Sequence, residues 1–200
     1  MTSGWSPDVV LADLRDPDGF APIGGYAVLG DGRGSALVAP DGTVDWWAVP
    51  RLDSPPAFSA LLDPRLGGRL ELRPTDPGTV ASRRYVPHTN VLETTYRTGT
   101  GVVRVTDSLN SGNAGELPWS ELARRVEGIE GTVEMRLVVR PGDGLRSWEP
   151  WVEHDDRGPL LHAGKLTLGV RCSSEIALES GPEQVDATFR IGAGERLMVA

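Results

Sequence analysis

The chain has 200 residues, of which 39% are apolar and 24% charged, enough apolar content to build one packed domain and too much for wholesale disorder. A net charge of −8 argues against a nucleic-acid or anionic-membrane surface. The single cysteine, Cys172, excludes an internal disulfide framework and a thiolate-rich zinc site, and no stretch reaches the roughly 18 to 20 apolar residues of a membrane helix.

Residues 1–20 differ from the rest. Asp8, Asp13, Asp16, Asp18, Pro7 and Pro17 dilute one short apolar patch, Val9 to Leu11, which predicts a loosely ordered leader; docking of Val10, Leu11 and Leu14 as one helical turn is the alternative. The opening residues show neither a basic region nor an apolar run, so a cytoplasmic location is expected. From Ile23 onward the pattern has period two. Short alternating runs at 35–38, 44–49, 69–73, 91–97 and 102–108 predict strands that bury one face and wet the other. Between them, Pro40, Asp41 and Gly42 form a hairpin turn, and Gly99 to Gly101 another. One helical turn is predicted near 54–62: Ser54 caps it, Pro55 takes the first helical position, and Phe58, Leu61 and Leu62 form its apolar face.

The clearest alternation is at 133–140, with Val133, Met135, Leu137 and Val139 on one face and Glu134, Arg136 and Arg140 on the other. Residues 166–171 and 185–191 alternate likewise, and Asp156 to Gly158 is a turn before Leu160. Many short strands between frequent turns predict an all-β fold, an antiparallel β-sandwich spanning residues 21–200. The chain ends inside an apparent strand at 195–200, and more protein is expected beyond Ala200.

Catalytic signatures are missing. Gly30, Gly32 and Gly34 lack the spacing and following helix of a phosphate loop, and there is neither a G-x-S-x-G elbow nor H-E-x-x-H. The run Glu153, His154, Asp155, Asp156 suits a hard cation or, more simply, a solvated hairpin tip. No catalytic residue, metal ligand set or cofactor is assigned. Asp45, Trp46, Trp47, Arg51 and Asp53 place aromatic faces beside charged groups, a chemistry shared by domain interfaces, carbohydrate contacts and ordinary core packing. Because Trp46 and Trp47 are adjacent on a strand, one is expected in the core and the other outside.

Longer motifs carry a resemblance. The segment from Ile23, with Tyr26-Ala27-Val28-Leu29-Gly30-Asp31, then Asp41-Gly42-Thr43-Val44-Asp45-Trp46 and Pro50-Arg51-Leu52-Asp53-Ser54, resembles the opening of bacterial glucoamylase and trehalase-like enzymes of glycoside hydrolase family 15. Arg83-Arg84-Tyr85, Thr89-Asn90-Val91-Leu92-Glu93, Val105-Thr106-Asp107, Arg124-Arg125-Val126 and Pro150-Trp151-Val152 continue it in order. The sequence departs from the pattern at Leu52, at 107–110 and around 142–148. The resemblance implies an N-terminal supersandwich that supports and partly walls the active site of a missing (α/α)₆ barrel. That barrel would carry the two glutamates of an inverting hydrolysis of an α-glucosidic bond. Its partners would be the barrel and a glucoside, with no nucleic acid or membrane. The rival expectation is a stand-alone carbohydrate-binding or protein-interaction β-sandwich.

Overall fold

The computed structural model describes residues 8–110, 119–145 and 147–200. The strands among the described residues are β1 (Val9–Val10), β2 (Ala27–Gly30), β3 (Ser35–Val38), β4 (Val44–Ala48), β5 (Pro56–Phe58), β6 (Gly68–Pro74), β7 (Val80–Tyr85), β8 (Leu92–Arg97), β9 (Gly101–Asn110), β10 (Glu121–Pro141), β11 (Trp151–Asp155), β12 (Gly158–Ala163), β13 (Leu166–Gly169), β14 (Glu179–Ser180), β15 (Val185–Gly192) and β16 (Arg196–Val199). Every ladder is antiparallel, and the all-β sandwich expected from the alternation is what forms.

One long strand makes the sandwich. The first half of β10 pairs with β9 and β16, and the second half pairs with β6 and β15. Between the halves the register slips at Gly128/Glu130, and Gly131 takes a positive φ where a Cβ would strike the carbonyl of Thr100. The bend folds one sheet into two facing layers. One layer is ordered β1-β7-β8-β9-β10-β16. The other runs β15-β10-β6-β4-β3-β2, with β14 on β15 and β5 on β4. The core between them holds the predicted face Val133, Met135, Leu137 and Val139 together with Val103, Val105, Leu92 and Val126. A separate sheet, β11-β12-β13, lays Leu161, Leu166 and Leu168 against this core.

The free edge of β2 is closed by side chains from the opposite layer. The Tyr85 hydroxyl accepts from Val28 N–H at 2.7 Å and donates to Val28 C=O at 2.9 Å, while Asn90 Nδ2 donates to Gly30 C=O. These bonds give the edge's unpaired backbone groups the partners that another chain would otherwise supply.

One segment differs from expectation. The helical turn near 54–62 is absent: residues 56–58 form β5, with Phe58 opposite Trp47 on β4. Ser54 Oγ accepts from Arg51 N–H, behind it in the chain, and does not cap a following turn; Leu61 N–H donates to Asp45 C=O, and Leu62 is exposed. The ladder on β4 and the Trp47–Phe58 contact outweigh the local helix signal, as tertiary pairing commonly does. Over residues 8–20 the leader is docked on the sandwich. Val9 and Val10 pair with Ala81 and Val80, Leu11 begins a short 3-10 turn, and Leu11 and Leu14 are buried. Residues 1–7 of that leader lie outside the described residues.

Candidate functional site

The β3–β4 hairpin tip is the most densely wired part of the chain. Gly42 adopts φ +82°, the conformation its turn requires, and a Cβ there would overlap the Tyr96 hydroxyl. The tip therefore lies buried against β8 with no room for a side chain at Gly42. A bulge follows: Val38 pairs with Val44 and Leu37 with Trp46, leaving Asp45 without a cross-strand partner. The extra residue shifts the alternation by one, so that Val44 and Trp47 both reach the core.

Asp45 is thereby turned into a buried polar cluster. Arg15 donates through Nε and Nη2 to the two oxygens of Asp41 at 2.8 and 3.2 Å, and through Nη1 to Asp45 Oδ2 at 3.0 Å. The Tyr26 hydroxyl donates to the same Asp45 oxygen at 2.6 Å, and Thr43 N–H donates to Asp41. Burial pushes the Asp41 carboxyl up, but the hydrogen bonds and charge of Arg15, aided by Thr43, bring it below the ordinary aspartate range. For Asp45 burial wins over Arg15 and Tyr26, and its carboxyl is raised. Its Oδ1 has no hydrogen-bond partner among the described residues.

Beside this cluster lies a second one. Arg124 of β10 faces the core between Leu122 and Val126, with no exposed surface. Its Nε and Nη2 grip the two oxygens of Asp107 at 2.8 and 3.0 Å, and Nη2 also donates to Gly42 C=O at 2.6 Å. Tyr96 donates to Asp41 C=O. The layer opposite the hairpin thus holds its tip twice, through the Arg124 guanidinium and through the neutral Tyr96 hydroxyl.

The concave surfaces lie outside these clusters. A groove of about 650 Å³ runs between the main sandwich and the β11–β13 sheet, with Trp47, Val49, Phe58, Trp119, Leu166 and Leu168 among its walls. Trp47 and Phe58 stack there with ring centroids 6.2 Å apart. A smaller polar cavity of about 390 Å³ opens beneath the docked leader, between Arg15, Asp41, Thr43 and the outer residues Arg69, Glu71 and Arg73 of β6. Glu71 is held there by Arg69 at 2.7 Å and more loosely by Arg73 at 3.7 Å.

Comparison with known proteins fits this β-rich frame. A family described as trehalase-like, N-terminal, matches residues 18–145. The chain belongs to the trehalase-like N-terminal domain family. It is 36% identical to the trehalase of Mycolicibacterium smegmatis over 94% of this chain and 31% of that protein, and 36% identical to the trehalase of Mycobacterium tuberculosis over 64% and 21%. The trehalase of Thermoplasma volcanium is 28% identical over 84% of this chain and 27% of its own. The chain spans less than a third of each of these relatives.

Within this trehalase-like domain the five singled-out residues separate into three places. Asp45 is an internal strut of the polar cluster, with no exposed surface. Trp47 packs in the core and lines the groove, whereas Trp46, its neighbour on β4, is half-buried, in line with the opposite directions expected of adjacent strand residues. Arg51 and Asp53 form a two-pronged ion pair at 2.9 Å on an open loop, both about 70% exposed. Arg15, Asp41, Tyr26 and the Arg124–Asp107 pair were not singled out by sequence reasoning. One signal was available: Arg124 is a lone charge on an otherwise apolar face. The acidic run disperses. Glu153 bonds His162, His154 bonds Ser180, and Asp155 caps its own turn at Arg157 N–H. No helix among the described residues is long and apolar enough to cross a membrane.

Proposed function

We propose that this chain is the non-catalytic N-terminal β-sandwich of a glycoside hydrolase of family 15, of glucoamylase or trehalase type, acting on an α-glucosidic bond. It supports and partly walls the active site of an (α/α)₆ barrel encoded in the same protein. The carrying observation is the similarity to trehalases over 94% of this chain but under a third of the relative's length. The groove beside Trp47 and Trp119 adds an apolar concave surface of the kind that domains bury against one another. In such an enzyme one carboxyl protonates the leaving oxygen and a second activates a water, the two carboxyls standing about 6.5 to 9.5 Å apart to make room for it. Both belong to the barrel in this reading, and the buried carboxylates among the described residues, Asp41, Asp45, Glu71, Glu93, Asp107 and Glu127, are each paired with an arginine. A cytoplasmic location completes the proposal.

The test is direct. The purified 200-residue chain should release no glucose from trehalose, maltose or soluble starch, while the parent enzyme does so. Glucose release by the isolated chain that disappears on mutating one of its carboxylates would overturn the reading.

A further inference from the structure

The β11–β13 sheet packs only one face on the sandwich. Its other face carries, in cross-strand register, Trp151 on β11, His162 on β12 and Thr167 on β13. The indole and imidazole lie parallel, with centroids 3.9 Å apart and planes 13° apart. The imidazole is fixed at both nitrogens, to Glu153 Oε2 at 2.8 Å and to the Thr167 hydroxyl at 3.2 Å. It covers one face of the Trp151 ring and holds that ring in place, and Trp151 remains 53% exposed. This is a preorganised aromatic floor, so a ligand would not have to bear the cost of ordering it.

We propose that this face is a binding platform for a neutral pyranoside. A sugar ring has an apolar C–H face and a rim of hydroxyls. The open face of Trp151 meets the first requirement. Glu153 meets the second: one carboxylate oxygen is engaged by His162, leaving Oε1 to accept a sugar hydroxyl in a charge-assisted bond. Thr167 lies two strands from Trp151, about 10 Å at the usual strand spacing, and supplies a hydroxyl at the far end of the row.

The same features disfavour other ligands. A phosphorylated or nucleotide ligand would meet Glu153 and Asp155 on this face in a chain of net charge −8. A protein partner would find little apolar area, since Trp151 is joined on this face only by the half-buried Leu160. The platform lies outside the 18–145 span that defines the family match. It is separate from the groove beside Trp47, which opens on the packed side of the same small sheet through Leu166 and Leu168. It does not depend on the hydrolase reading, because it requires no chemistry from a second domain.

The experiment is isothermal titration of the 200-residue chain with trehalose, maltotriose and glucose 6-phosphate. Saturable binding of the neutral sugars, weaker binding of the phosphate ester, and at least an about tenfold loss in Trp151→Ala would support the platform. Trp151→Phe, which keeps an aromatic floor, should retain most of the affinity, and Trp119→Ala in the groove should leave it unchanged. Thermal unfolding of each variant confirms that it is folded. No saturable binding by the parent chain, equal binding by Trp151→Ala, or tighter binding of glucose 6-phosphate would overturn the proposal.

Discussion

Arg124→Met isolates the contribution of the buried ion pair at the hairpin tip. Arg124 and Asp107 are both fully buried, bonded through two N–H···O contacts at 2.8 and 3.0 Å, and the same guanidinium donates to Gly42 C=O at 2.6 Å. Methionine approximates the stem but leaves Asp107 as an unpaired buried charge and Gly42 C=O without this donor. Breaking one partner of a buried pair typically costs about 3 to 5 kcal/mol. At a urea m-value of about 2 kcal/mol/M, that moves the unfolding midpoint by about 2 M. The double variant Arg124→Met with Asp107→Leu removes the stranded charge, and should recover a large part of the loss because replacing a whole buried pair is often neutral or stabilising. Urea unfolding followed by circular dichroism measures both. A single variant that loses less than about 1 kcal/mol, or a double variant less stable than the single, would show that the pair does not secure the tip.

The two aspartates of the neighbouring cluster should respond to pH with opposite signs. Asp41 sits below the ordinary value of 3.8, so it adds stability above 3.8 that is lost as pH falls through its folded value; Asp41→Asn should remove that acid-side loss. Asp45 sits above 3.8, so the fold holds its proton more tightly and stability declines as pH rises from 3.8 to its folded value; Asp45→Asn should flatten that decline. Urea midpoints measured from acid to neutral pH check both, and identical profiles for the two variants would contradict the assignment. The Arg51–Asp53 pair is exposed enough that Arg51→Ala should cost the isolated chain no more than about 1 kcal/mol, while in the parent enzyme it should lower activity by a larger factor if the loop meets the barrel. A loss of several kcal/mol in the isolated chain with normal parent activity would make Arg51 merely structural.

Much of the frame was legible because strand alternation is a local signal. Val133, Met135, Leu137 and Val139 are all buried, Val185 to Ile191 buries its odd-numbered residues, and the turns at Gly42, Gly99 to Gly101 and Asp156 to Gly158 each join strands. In β10, Gly128 and Gly131 mark a break in the strand, but which distant strands each half meets is not written in the local pattern. The helix signal at Ser54 and Pro55 was sound locally and lost to a neighbouring strand edge. The site suffered most. Arg15 finds Asp41 and Asp45 26 and 30 residues away, and Arg124 finds Asp107 across a ladder, so neither partner is encoded by spacing.

The hairpin motif that carried the family resemblance is explained almost entirely by this wiring. Asp41 anchors Arg15, Gly42 fits against Tyr96, Thr43 donates to Asp41, and Asp45 occupies the bulge that returns Trp47 to the core. Those duties bury the motif and commit its charges within the chain, so its carboxylates are poorly placed to meet a ligand. The proposed recognition therefore falls to surfaces that the tip organises without belonging to them. Trp47 lines a groove because the bulge aims it there, and the small sheet closes that groove with one face while presenting Trp151 on the other. A variant at the tip should consequently weaken the groove only by loosening the sandwich, whereas a variant at Trp151 should change binding and leave stability nearly intact. Stability and binding measured on the same variants therefore separate the scaffold from the surfaces it supports.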